Sequence, residues 1–71
     1  MPRKLRELEA DLSKEGFTRQ PGKGSHRRWV HALHPGHVSI SGHPKDDAKP
    51  YQEREVRQAL EQVREAKRRQ P

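Results

Sequence analysis

Leu5, Leu8 and Leu12 near the start of the chain, and Val56, Leu60 and Val63 near its end, recur at spacings of three and four. Each set is an apolar stripe along one helix. A chain that opens and closes in this way must fold its middle into a surface on which both stripes are buried. With 71 residues, of which 27% are apolar, there is room for one domain, 1–71, and one small core.

The first helix is expected over about residues 3–15. Pro2 lies where a missing N–H does no harm, and Gly16 supplies the left-handed residue that ends many helices, with Phe17 folded back on Leu12. A short strand follows from Phe17 to Gln20, stopped by Pro21-Gly22. His26 to Ala32 reads as a second strand, and Leu33-His34-Pro35-Gly36, with Gly36 at the turn, leads into a third, His37 to Ser41. Residues 42–50 read as a polar loop. The last helix is expected to begin near Tyr51, with Glu53 and Glu55 in its first turns, where the helix dipole favours acids. Lys67, Arg68 and Arg69 close it with the opposite sign, and the basic tail, 67–71, is expected to fray.

Alternation along the second strand puts Arg27, Trp29 and His31 on one face and His26, Arg28 and Val30 on the other. Trp29, the largest apolar group in the chain, belongs inward, which sends His26 and Arg28 to solvent. Arg27 and His31 share the inward parity, so their polar tips are expected to reach water at the sheet ends. Val38 and Ile40 on the third strand would pack with Trp29. The fold class is therefore α+β, in the order α-β-β-β-α. A three-stranded antiparallel sheet carries both helices on one face and leaves the other open, as in double-stranded-RNA-binding domains.

The net charge of +6 is concentrated in the middle. From Phe17 to Lys45 there is no Asp or Glu, while Arg19, Lys23, Arg27, Arg28, Lys45 and all five histidines fall there. Residues 1–16 balance four bases against four acids, and residues 46–65 hold six acids against four bases. A basic middle between neutral and acidic flanks is the footprint expected for a polyanion, nucleic acid being the commonest. The absence of cysteine rules out disulfides and thiolate metal sites. No apolar run is long enough for a signal peptide or a membrane span, so a soluble, cytoplasmic protein is expected.

The candidate working site is Gly22-Lys23-Gly24-Ser25-His26-Arg27-Arg28-Trp29-Val30-His31. A Gly-x-Gly turn lets the main chain approach a ligand closely and turns N–H groups towards an anion. Lys23, Arg27 and Arg28 place permanent charge around His26, whose side-chain type exchanges protons near neutral pH. The expected RNA contacts are Arg19, Lys23, Gly24, Ser25, Arg27, Arg28, His43 and Lys45.

The leading amphipathic helix ending in Gly16-Phe17, the triplet Gly24-Ser25-His26, the aromatic Trp29, the pair His43-Pro44 and the Lys49-Pro50 lead-in to the last helix resemble the HicA (YcfA-like) toxins. The likeness runs from Leu5 to about Val63, with Gly-Ser-His between the first two strands its most specific element. It implies a translation-independent mRNA interferase of a type II toxin–antitoxin system, with His26 as the catalytic residue. It also implies a HicB-like antitoxin that covers the His26 face. The chain departs from the family pattern in a long loop after the second strand, in Asp46-Asp47, and in a longer last helix.

One histidine suffices if the substrate is mRNA or another single-chain RNA, because the 2′-OH is an internal nucleophile beside the scissile phosphate. His26 as general base would take its proton, while Lys23, Arg28 and the backbone N–H groups of 22–25 stabilise the charge that develops. No metal or other cofactor is required. Protonation of the leaving oxygen falls to His43, Lys45 or water, and DNA, lacking the 2′-OH, should survive. The alternative is a non-catalytic RNA-binding module in which His26 only hydrogen-bonds a phosphate. A metal site is disfavoured, because the five histidines lack a convergent carboxylate and lie on strand, turn and strand.

Overall fold

The structure, a computed structural model, describes residues 2–22 and 24–70. Helix α1 spans Leu5–Lys14, strands β1, β2 and β3 span Thr18–Gln20, His26–His31 and His34–Ser41, and helix α2 spans Pro50–Arg69. The strands form one antiparallel sheet in the order β1-β2-β3. The architecture is thus α+β in the order α-β-β-β-α. Leu5, Leu8 and Leu12 from α1, Trp29, Val38 and Ile40 from the sheet, and Val56, Ala59, Leu60 and Val63 from α2 form one buried cluster, so both helices lie on the Trp29 face.

Local chemistry sets the boundaries. The Gly16 N–H donates to the Ser13 carbonyl at 3.1 Å and the Phe17 N–H to that of Leu12 at 3.0 Å. With Gly16 at φ +100°, these two bonds end α1 in a left-handed turn that brings Phe17 back into the core. At its other end α1 starts at Leu5 rather than residue 3. The Leu5 and Arg6 N–H groups donate to the carbonyls of Asp46 and Pro44, at 2.9 and 3.0 Å. Two donors that a helix start leaves unpaired are therefore satisfied by the segment that follows β3, and that segment is pinned to α1.

The expected turn at Gly36 and the long loop after the second strand are both corrected. β2 and β3 are joined through Ala32 and Leu33, with His31 opposite His34 and an irregularity in register between Trp29 and His31. Pro35 and Gly36 belong to β3. Proline has no N–H to give to a ladder, and β3 is an edge strand, where that loss is tolerated. β2 ends at His31 and β1 starts at Thr18, one residue inside the expected limits. The basic end expected to fray is helical through Arg69, and Pro71 lies outside the described residues. Lys67 donates to the Glu15 carbonyl at 3.1 Å, and both Lys67 and Arg64 pair with its carboxylate at 3.4 Å.

Candidate active site

His26 is the first residue of β2, exposed, with Ser41 of β3 as its cross-strand partner. The register gives the open face its members. Arg28 lies opposite Ser39 on one side and Gln20 on the other, and Val30 lies opposite Thr18. These residues are hydroxyls, an amide and one valine around one imidazole and one guanidinium, and no carboxylate is among them. At the His26 end the open face adjoins a depression of about 330 Å³ lined by Leu5, Ser25, His26, Ser41, Gly42, Asp46, Asp47, Lys49, Tyr51 and Gln52.

Several contacts fix this geometry. A Cβ at Gly22 would collide with the His26 carbonyl, so the chain can pass this close only because Gly22 has no side chain. Buried Gln52 donates from its amide to the Ser41 carbonyl at 3.2 Å and accepts from the Lys49 N–H at 2.9 Å. The first turn of α2 is thereby tied to the strand end opposite His26. In the turn beyond Ser41, the His43 Nδ1 accepts from the Lys45 N–H at 3.1 Å, and the Asp46 carboxylate accepts from the His43 N–H at 3.0 Å.

The expected RNA contacts divide. Arg28, Gly24 and Ser25 are exposed beside His26. His43 and Lys45 are exposed on the adjoining turn, outside the lining of the depression. Arg19 is exposed but pairs with Trp29, which puts it on the helix-side parity of the edge strand, away from His26. Lys23 lies outside the described residues. Among the described residues, Arg19, Arg28 and Lys45 have no carboxylate partner.

Arg27 is the exception, and its tip is turned into the protein instead of standing out in water. Its side chain is 14% exposed and makes a two-pronged pair with Glu9 of α1, Nε and Nη2 each donating at 2.8 Å. Its Nη1 donates to the carbonyls of Ser25 and Gly42, both at 2.9 Å. The Trp29 indole N–H donates to the same carboxylate at 2.9 Å. Every prong of the fork is engaged inside the protein, so Arg27 clasps the two segments that flank His26 instead of facing a phosphate. Its inward parity with Trp29, and Glu9 lying within the stripe of Leu5, Leu8 and Leu12, carried that signal.

The histidines do not converge: His31 and His34 pack against Phe17, with ring centroids 5.1 and 5.8 Å apart, while His26 and His43 lie by the depression. Among the described residues no three His, Cys, Asp or Glu side chains group as a metal site would require, and no helix is long and apolar enough to cross a membrane.

A two-layer α+β domain with an open sheet face and a histidine at the mouth of a depression is the class of protein that this geometry defines. The sequence profile described as the HicA toxin of bacterial toxin–antitoxin systems matches residues 5–64. The chain belongs to the HicA toxin family. No curated protein and no solved structure matches it. Membership of a toxin–antitoxin family implies an antitoxin partner.

Proposed function

We propose that the protein is an RNA-cleaving toxin in which His26 acts as general base on the 2′-OH, without a metal. The observation that carries this reading is the exposure of His26 on the open sheet face of a HicA-family chain, directly after the Gly24-Ser25 turn. Arg28, Lys45 and the backbone N–H groups of Gly24 and Ser25 supply the positive potential that a phosphate and its transition state require. Lys23, the residue before Gly24 in the sequence, and His43 of the adjoining turn are further candidate RNA contacts, and the partner is a HicB-like antitoxin covering the same face in the cytoplasm. Arg27 contributes by holding the Ser25 carbonyl in place, and Arg19 by long-range attraction.

Cleavage of single-stranded RNA in the presence of a strong chelator tests the reading. The parent protein should cleave RNA and spare DNA. The His26→Ala variant should lose roughly 100- to 10,000-fold in rate, the range for a missing general base, while its stability changes by no more than about 0.5 kcal/mol, as for other exposed positions. A folded His26→Ala protein that cuts at the parental rate removes the assignment, and loss of cleavage in chelator removes the metal-free mechanism.

A further inference from the structure

The depression beside His26 has a second half that the phosphate chemistry does not use. Tyr51 is 45% exposed, the one large hydrophobic side chain to be so among the described residues, and it lines the same depression as His26. Isolated exposed apolar groups are ordinary on protein surfaces, but this one has a rigid mount. It follows Pro50 in the first turn of α2, and the next residue, Gln52, is bonded to the strand opposite His26. Asp46 and Asp47 share the lining. Each has one oxygen already engaged, by the His43 N–H and by Lys4 Nζ, and a carboxylate has further lone pairs to offer. Carboxylates repel a phosphate backbone, so this side of the depression suits a neutral group that presents donors.

We propose that Tyr51 is the stacking platform of a nucleobase subsite beside His26, and that Asp46 and Asp47 bias it towards bases carrying an exocyclic amino group over uracil. The proposal rests on RNA being the substrate and names how that RNA is held. Stacking of a splayed base on an aromatic ring is the usual way single-stranded RNA is gripped. A carboxylate accepts from the cytosine or adenine amino group, which uracil lacks.

The test is binding, by fluorescence anisotropy, of short 2′-O-methyl oligocytidine and oligouridine, which have no free 2′-OH and stay intact. Tyr51→Ala should weaken both on the order of 5- to 150-fold, as for the loss of one base stack, with Trp29 emission unchanged as the check on folding. Tyr51→Phe and Tyr51→Trp should retain the affinity. The parent should prefer oligocytidine, and the double variant Asp46→Ala/Asp47→Ala, which removes the side-chain acceptors, should lose that preference. Parental affinity in Tyr51→Ala overturns the subsite and leaves Tyr51 to the antitoxin, as does failure of the parent to bind either oligomer. A preference that survives in the double variant overturns the role of the acids. Cleavage of unmodified RNA is measured in parallel. A parent that binds the oligomers but does not cut fails the nuclease reading alone, and one that cuts with Tyr51→Ala binding unchanged fails the subsite alone.

Discussion

Replacing Glu9 by alanine should destabilise the domain by about 3 kcal/mol. The structure supplies the terms. Glu9 is 9% exposed, and its two oxygens accept from Arg27 Nε, Arg27 Nη2 and Trp29 Nε1. Without it, a guanidinium and an indole N–H lose their acceptor in a site from which water is largely excluded. Breaking a buried ion pair from one side costs about 3–5 kcal/mol, against about 0.2–1 kcal/mol for an exposed one. The low end of the buried range applies because Arg27 keeps the carbonyls of Ser25 and Gly42. A domain of this length has a total stability of only about 4–10 kcal/mol, so the loss is a large share. Urea unfolding followed by fluorescence suits the measurement, since Trp29 is the sole tryptophan and its indole is part of the network. Glu9→Gln, which keeps one acceptor, should fall between the parent and Glu9→Ala and remain measurable if the alanine variant does not fold. A cost below about 1 kcal/mol for Glu9→Ala would place the pair among exposed ion pairs and refute the clasp.

Affinity for mixed-sequence RNA should fall steeply with salt, because Arg28, Lys45 and their neighbours displace counterions from phosphates; a binding constant indifferent to salt removes the polyanion reading. Gly22→Ala should cost about 1–3 kcal/mol, the range for overfilling a packed position, since the added Cβ meets the His26 carbonyl; an unchanged melting temperature contradicts this. Burial raises the Glu15 carboxyl, but hydrogen bonds and attraction from Lys67 and Arg64 outweigh it and hold it below the ordinary range. A carboxyl lowered in the folded state stabilises above its unfolded value, about 4.3 for glutamate, and that contribution is lost as pH falls through the lower folded value. Acid unfolding should therefore be less steep in Glu15→Gln than in the parent, and identical acid titrations would show that the contact between the ends of the helices is inert.

Both helices and the inward face of β2 were legible because period and burial coincide: Leu5, Leu8 and Leu12 cannot face water together, and Trp29 leaves no choice of side. The β2–β3 turn was not, because Gly36 is the strongest local turn signal in that stretch. Its φ of +77° is instead used within β3, and the turn at Ala32 and Leu33 carries no glycine, proline or asparagine. The candidate site was legible only as a run of residue types, from Gly22 to His26. It was not legible at Arg27, because an arginine reads the same whether it meets a phosphate or a carboxylate. Only the coincidence of its parity with Trp29 and of Glu9 with an apolar stripe distinguishes the two. Tyr51 and Gln52 read as the start of a helix, and their place beside His26 depends on where β3 ends, which no local pattern encodes.

The way the core closes bears on how such a chain is made. A ribosome delivers α1 and the sheet before α2 has left it, yet α2 supplies Val56, Ala59, Leu60 and Val63 to the core, and the start of α1 is capped by carbonyls of residues 44 and 46. A nascent chain that stops short of residue 50 therefore leaves the Trp29 face covered by α1 alone and has no finished core. Folding awaits α2, the 20 residues Pro50–Arg69, and the sheet of this member of a toxin family is held in shape only once that helix has been made.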